Sequence, residues 1–308
     1  EISACLVGSE MCIRDRGSLV LEIWLQTALS GLMVGGAYAL AAVGLALLFQ
    51  VTEIINIAHG DLVTVGSYVT YFFSISFGLD PLLSMIPTAT IMFMVGILLQ
   101  QTAFRKTIGV PRRAEATMLV SFGIMLVVEN GMAMISTVRI RYIHADYASP
   151  SVVFQIGPAR VLLIHVIAAV FAIFLMILLH MYLSKSYLGR AMRATGQSKE
   201  TASIIGIPTN LVYILTFGLS SALAGVAGTL FGMMYTFNPY SGFLLGFKAF
   251  VIILLGGFRS LRSILVAGLL LGEVESIASI IFPSIYRSAV GFVFLIIALM
   301  YKRQMEVL

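Results

Sequence analysis

Most of this chain is arranged in long apolar runs that are separated by short polar connections. The runs cover residues 21–51, 61–79, 82–104, 117–137, 161–183, 210–236, 244–258, 263–282 and 286–302. An α-helix of about 20 apolar residues crosses a bilayer core, so the pattern predicts about eight or nine spans. The first run is long for one crossing, and either tilts or turns back within the membrane.

The scarcity of charge excludes a soluble globule. Only 11% of the 308 residues are charged and 59% are hydrophobic, whereas roughly a quarter of the residues of a soluble domain are charged. The alternating pattern of membrane β-strands is absent from the runs, which are rich in Leu, Ile, Val, Ala and Gly. Because backbone polar groups in lipid must be bonded internally, the sequence predicts an all-α, polytopic transmembrane helical bundle.

The first 18 residues differ from the rest of the chain. The stretch EISACLVGSEMCIRDRG contains both cysteines, Cys5 and Cys12, and its charges follow a short apolar run. That order is the reverse of a secretory signal peptide and is typical of translated adapter sequence. We therefore expect residues 1–18 to be a non-native N-terminal extension and residues 19–308 to form a single transmembrane domain.

Basic residues in the connections divide unevenly between the two sides of the predicted bundle. If each run crosses once, one side collects Arg105, Lys106, Arg112, Arg113, Lys185, Arg190, Arg193, Lys199, Arg259, Arg262, Lys302 and Arg303. The other side collects Arg139, Arg141, Arg160, Lys248 and Arg287. Because cytoplasmic loops are enriched in Lys and Arg, the first side is predicted to be cytoplasmic, which places the C-terminus inside. This bias also explains the net charge of +5 without a nucleic-acid partner.

A polar cluster interrupts the apolar pattern in the stretch INIAHGDLVTVGSYV, where Asn56, His59 and Asp61 fall within six positions. The cluster is open to interpretation as an ordinary cytoplasmic turn or as a broken membrane helix beside a water-filled path. A metal site is disfavoured, because His59 has no histidine four residues away on either side. Asp61 is also a candidate N-cap for the helix that follows.

The surrounding stretch GGAYALAAVGLALLFQVTEIINIAHGDLVTVGSYV closely resembles a conserved block of the permease subunits of branched-chain amino-acid ABC importers. In that family a G-x-x-Y-A-L-x-A-x-G run leads into N-F/I-A-H-G-D/E and then a glycine before an aromatic residue. The matching positions are Gly35, Tyr38, Ala39, Leu40, Ala42, Gly44, Asn56, Ala58, His59, Gly60, Asp61, Gly66 and Tyr68. The pattern is typical of the shorter of the two permease types in such importers.

A polar island, SKSYLGRAMRATGQSKETASIIGIPTN, separates the fifth and sixth runs. Ala191, Ala194, Ala202 and Ile205 give it an apolar side, so one interpretation is an amphipathic helix that rests on lipid headgroups. The same family has a coupling helix here that docks on an ATP-binding subunit. The resemblance names its candidate residues as Gly189, Arg190, Ala191, Arg193, Ala194, Ala202, Gly206 and Ile207.

Three carboxylates lie in the interior of apolar runs, away from the ends of the runs, at Glu129, Glu273 and Glu275. Embedded carboxylates usually face the bundle interior or a wet cavity, and lining a path and bonding between helices are equally open roles. Residues two apart cannot share one helix face, and the resemblance favours Glu275 over Glu273. The candidate residues of a translocation path or gate are therefore Asn56, His59, Gly60, Asp61, Glu129 and Glu275.

The resemblance implies an inner-membrane permease subunit rather than an enzyme. Its substrates would be branched-chain amino acids, or urea or short amides, and it would hold no cofactor. The expected partners are a second permease, two ATP-binding cassette subunits, a periplasmic binding protein and the lipid bilayer. The sequence has no G-x-x-x-x-G-K-S/T phosphate loop, so ATP would be used by the partner subunits.

Two rival functions remain open on sequence alone. An ion-coupled secondary transporter would use Glu129, Glu275 and His59 as a proton relay. A membrane scaffold would have no wet cavity between its helices.

Overall fold

The computed structural model describes residues 2–107, 110–149, 151–156, 159–258, 260–283 and 286–307. The helices are α1 (Ile2–Thr52), α2 (His59–Phe77), α3 (Pro81–Thr102), α4 (Arg113–Ser136), α5 (Leu163–Lys185), α6 (Tyr187–Gln197), α7 (Lys199–Ile204), α8 (Thr209–Met234), α9 (Ser241–Gly256), α10 (Leu261–Ile281) and α11 (Arg287–Val307). Each of the nine apolar runs coincides with one helix, so the all-α membrane bundle is confirmed.

Within the described residues, six segments are long and apolar enough to cross a membrane. They are Glu22–Thr52, Pro81–Thr107, Arg113–Ser136, Leu163–Lys185, Thr209–Met234 and Leu261–Ile281. Ser241–Gly256 and Ala289–Ala298 are shorter apolar helices. The first apolar run does not turn back, because α1 is continuous from Ile2 to Thr52. The non-native origin of residues 1–18 stays a prediction.

The inner helices pack through glycines. A Cβ added to Gly35 of α1 would lie 2.6 Å from the carbonyl oxygen of Gly268 in α10, closer than real Cβ atoms come. A Cβ added to Gly66 of α2 would lie 2.5 Å from the Cα of Gly225 in α8. Small residues let membrane helices approach this closely, so α1 is enclosed by its neighbours and forms the centre of the bundle.

Helix α4 is far more exposed than the inner helices. The side chains of Leu119 and Val127 are each 73% exposed. Met134 and Ile135 near its end are 85% and 89% exposed. Such a face is suited to lipid or to another membrane subunit, so α4 lies at the periphery.

The described part of the connection between α4 and α5 packs across one end of the bundle. It contains two strands that pair antiparallel, β1 (Val153–Ile156) and β2 (Ala159–Leu162), which the sequence did not predict. Arg141 and Phe237 exchange two backbone hydrogen bonds of 2.9 Å. The Tyr147 hydroxyl donates to Asp80 Oδ1 at 3.0 Å. These bonds tie the loop to the ends of α3 and α8.

Candidate functional site

Helix α2 begins inside the bundle rather than at its surface. After α1 ends at Thr52, the chain doubles back, and His59 Nε2 lies 3.0 Å from the carbonyl oxygen of Ala41. Ala41 precedes Thr52 by eleven residues of α1, about 17 Å along the axis at ~1.5 Å per residue. Asn56 is 3% exposed, and His59 and Asp61 are fully buried. The turn is therefore buried, unlike an ordinary exposed turn, and the interpretation as a broken helix beside a path stays a prediction.

The predicted capping role of Asp61 is also wrong. The backbone closes the turn by itself, with His59 N donating to the Asn56 carbonyl at 3.3 Å and Asp61 N donating to that of Ala58 at 3.1 Å. The helix has therefore started at His59, and Ala58 at the cap position makes no side-chain bond. Asp61 already lies within the first turn of α2.

The first turns of α2 and α9 meet around Asp61. A Cβ added to Gly60 would overlap the carbonyl oxygen of Gly242, and one added to Gly242 would overlap Asp61 Oδ1. Both carboxylate oxygens of Asp61 are buried without a hydrogen-bond partner among the described residues. The partial positive charge at a helix N-terminus favours a carboxylate there. Among the described residues, the N-termini of two helices therefore stabilise the Asp61 carboxylate, and no side chain forms a hydrogen bond to it.

Asn56 lies beside a cavity of about 220 Å³. This Asn56 cavity is lined by Leu45, Ile55, Asn56, Ile57, Met118, Phe243, Gly246, Phe247 and Phe250. The Asn56 Oδ1 atom is buried without a partner among the described residues. One polar group therefore lies beside a space with mostly apolar walls.

Glu129 lies on the narrow buried face of α4. Thr117, Ser121, Met125 and Glu129 are spaced by four residues, and all are 8% exposed or less. The Ser121 hydroxyl accepts a bond of 3.2 Å from the backbone N–H of Ile57. This face packs on the turn before α2, so α4 carries Glu129 on the side of the helix that meets the turn.

Glu275 belongs to a buried polar triad that joins α1, α9 and α10. The Lys248 Nζ atom lies 2.8 Å from Glu275 Oε2 and donates to the Tyr38 hydroxyl at 2.9 Å. Tyr38 in turn donates to Glu275 Oε2 at 3.0 Å. Glu275 is 1% exposed, whereas Glu273 is partly exposed beside Gly31. Between these two carboxylates, Glu275 is the one that points into the bundle.

The assignment of Lys248 to an outward connection is wrong. Lys248 lies in the middle of α9 and is 8% exposed. Its charge is tolerated there because the Glu275 carboxylate neutralises it. Sequence reasoning missed Lys248 and Tyr38 as site residues, although a single cation in the apolar run FLLGFKAFVIILLGG was a usable signal.

A second cavity, of about 260 Å³, opens beside this triad. The Lys248 cavity is lined by Tyr38, Ser67, Phe231, Tyr235, Thr236, Phe237, Ser241, Leu244, Leu245 and Lys248. Phe237 is the residue that bonds to Arg141 in the α4–α5 connection, so this cavity lies in the half of the bundle nearer that connection. Its walls are apolar and aromatic, and its charged group is Lys248.

The polar island forms two helices instead of one. Ser186 Oγ accepts a bond of 2.9 Å from Gly189 N at the start of α6, and Ser198 Oγ accepts one of 3.2 Å from Thr201 N at the start of α7. Serine is a favoured N-cap residue. The chain turns at Ser198, which has an extended backbone.

The apolar side of this island packs on the chain itself. Gly189 meets the backbone at Tyr182 and Leu183, and Ala191 and Ala202 are buried. Gly189 and Ala191 of α6 and Ala202 of α7 therefore pack within this chain rather than facing a partner, and the docking role of the island stays a prediction. Ala194 and Ile207 are half-buried, while Arg190, Arg193 and Gly206 are exposed. Ile204 and Ile205 are exposed by 84% and 67%.

The bundle, its two internal cavities and its two-helix polar appendage are typical of a membrane transport protein. The chain matches the family model described as branched-chain amino acid transport system / permease component over residues 27–299. It therefore belongs to that family, whose members are transport permeases and not enzymes.

Relatives support the same assignment over nearly the full length. The chain is 30% identical to the high-affinity branched-chain amino acid transport system permease protein BraD of Pseudomonas aeruginosa, over 91% of this chain and 94% of BraD. It is 29% identical to the permease protein LivH of Escherichia coli, over 90% of this chain and 93% of LivH. Among solved structures, PsaBC from Streptococcus pneumoniae in complex with Fab gives a TM-score of 0.46 at 16% identity, over 89% of this chain and 90% of that one. That last similarity is too weak to carry an inference.

Proposed function

We propose that this chain is the membrane-spanning permease subunit of a bacterial ABC importer for branched-chain amino acids. The observation that carries the proposal is the buried start of α2, with polar groups and two cavities inside a lipid-exposed bundle. Irregular backbone at membrane depth is tolerated where protein surrounds it or where it lines a cavity. The family membership supplies the transport class, and the relatives supply the substrate class.

The path residues divide into two groups. Asn56, Gly60, Asp61 and Glu129 surround the turn before α2 and its first turn, while Glu275 belongs to the triad beside the Lys248 cavity. His59 holds the start of α2 against α1 through its bond to the Ala41 carbonyl. A shift of α2 relative to α1 and α9 would change both cavities together, which is what alternating access requires.

The partner ATPases would act on the exposed part of the two-helix island. Arg190 and Arg193 offer positive charge, and Ile204, Ile205 and Gly206 form an exposed apolar corner at the end of α7. A second permease, two ATP-binding cassette subunits and a periplasmic binding protein complete the importer. The basic bias of the connections supports an inner-membrane location with the C-terminus in the cytoplasm.

The direct test is uptake of labelled L-leucine into proteoliposomes that enclose ATP and contain the whole complex, with the binding protein outside. We expect uptake that requires ATP and persists in the presence of an uncoupler. Uptake that collapses with the uncoupler and needs no ATPase would contradict the proposal and favour an ion-coupled transporter.

Arginine replacements test the docking surface. We expect Arg193→Ala to weaken binding of the ATPase subunit by about 1 kcal/mol, roughly fivefold, as for a contact residue at an interface. Arg139→Ala is the matched control, because Arg139 is equally exposed on the opposite side of the bundle. Pull-down of the ATPase at graded concentrations measures the effect. Equal binding by both variants would remove Arg193 from the interface.

A further inference from the structure

Lys248 is the charged group of an otherwise apolar and hydroxyl-lined cavity. Of the triad, Lys248 and Tyr38 line the cavity, whereas Glu275 lies behind them. The side chains of Lys248 and Tyr38 therefore border the space, whereas the counter-ion of Lys248 does not. If the triad served only to hold the three helices together, Lys248 would not have to line a cavity.

The remaining walls divide into apolar and hydroxyl surfaces. Phe231, Phe237, Leu244 and Leu245 supply apolar surface. The Ser67 hydroxyl donates to the Gly228 carbonyl at 2.6 Å, so its oxygen is oriented to accept a hydrogen bond. The cavity thus offers a donor cation, an acceptor and apolar walls within one space.

The size of the cavity limits what it can hold. Its volume of about 260 Å³ corresponds to roughly nine water volumes of ~30 Å³ each. A molecule of about nine heavy atoms, the size of leucine, matches this space.

We propose that the Lys248 cavity binds one free amino acid with an apolar side chain, and that the Lys248 ammonium holds its α-carboxylate. The Ser67 oxygen accepts from the α-ammonium, and the aromatic and leucine walls enclose the side chain. Because the Lys248–Glu275 pair is neutral overall, a zwitterion adds no net charge to the bundle, whereas a simple acid or amine would. This inference rests on the proposed function and assigns a substrate site within the permease.

The test measures protection of a cysteine at the cavity mouth. Thr236 lines the cavity and is exposed, so Thr236→Cys, with Cys5 and Cys12 replaced by serine, leaves one thiol in this chain, and labelling of this chain is measured. The complex of permease and ATPase subunits is labelled in nanodiscs without the binding protein. At an L-leucine concentration about ten times its dissociation constant, labelling should slow about tenfold by mass action. The same concentration of 3-methylbutylamine, which lacks only the carboxylate, should leave the rate unchanged.

The matched variant removes the recognising charge without leaving its counter-ion unpaired. Lys248→Gln combined with Glu275→Gln should abolish leucine protection in the assembled complex. Equal protection by leucine and 3-methylbutylamine, or full protection in the double variant, would overturn the proposal, and the first comparison needs no substitution in the triad. Absent protection in a complex that still takes up leucine with ATP would overturn the site and leave the proposed function standing. Protection without ATP-driven uptake would support the site and contradict the proposed function.

Discussion

Two buried carboxylates in the same bundle, Asp61 and Glu275, are stabilised in opposite ways. Glu275 has a charged partner at 2.8 Å and a tyrosine hydroxyl at 3.0 Å. Asp61 has no hydrogen-bond partner among the described residues, and lies against the glycines that start α9. A buried polar group without a partner costs free energy. The comparison indicates that side chains stabilise the Glu275 carboxylate, whereas among the described residues the N-terminal ends of α2 and α9 stabilise that of Asp61.

The largest loss of stability should come from breaking the ion pair of Lys248 and Glu275. Glu275→Gln leaves the Lys248 ammonium buried beside a neutral amide, which typically destabilises a protein by about 3–5 kcal/mol. The thermal unfolding midpoint of the purified complex measures this loss. Adding Lys248→Gln should restore most of the stability, because no unpaired charge then remains. Equal midpoints for the single and double variants would mean that Lys248 and Glu275 do not depend on each other.

The second-largest loss of stability should come from disturbing the close approach of α2 and α9, which places Asp61 against α9. Gly60→Ala puts a methyl group into the carbonyl oxygen of Gly242, and overpacking of this kind costs about 1–3 kcal/mol. Gly123→Ala is the control, because nothing lies within 4 Å of a Cβ added there. We expect the unfolding midpoint to fall for Gly60→Ala and to hold or rise for Gly123→Ala. Equal shifts would show that α2 and α9 are not held this tightly.

The smallest stability effect should come from Asp61 itself and should have the opposite sign. Asp61→Asn replaces a buried unpaired carboxylate by a neutral amide, which costs less to bury. We expect a gain of about 1 kcal/mol in stability, seen as a higher unfolding midpoint. A loss of stability comparable to that of Glu275→Gln would mean that Asp61 has a partner in this conformation, and the contrast between the two sites would fail.

The sequence predicted the structure well where a type of residue can occupy only one kind of environment. Runs of Leu, Ile and Val have to lie in lipid or in the bundle, so every helix that contains an apolar run was predictable. The burial of Glu275 rather than Glu273 followed from helix geometry and the family pattern. The pairing of Lys248 with Glu275 was not predictable, because the two residues are 27 positions apart on different helices and only packing brings them together.

Local chemistry misled the prediction at the polar positions. Aspartate often caps a helix, so Asp61 was predicted to be a cap. Backbone hydrogen bonds instead start α2 at His59, two residues before Asp61. Ala191 and Ala202 were predicted to belong to a docking face, but both are buried against the rest of this chain. Small and polar residues have several uses, and tertiary contacts decide among them.

The central claim is that the buried Asp61 carboxylate at the start of α2 serves transport rather than folding. It is tested most directly by ATP-dependent L-leucine uptake in proteoliposomes that contain the complete complex with Asp61→Asn. We predict that uptake is lost while membrane insertion, subunit assembly and the unfolding midpoint are kept or improved. Uptake at the unsubstituted rate by a fully assembled Asp61→Asn complex would contradict the claim.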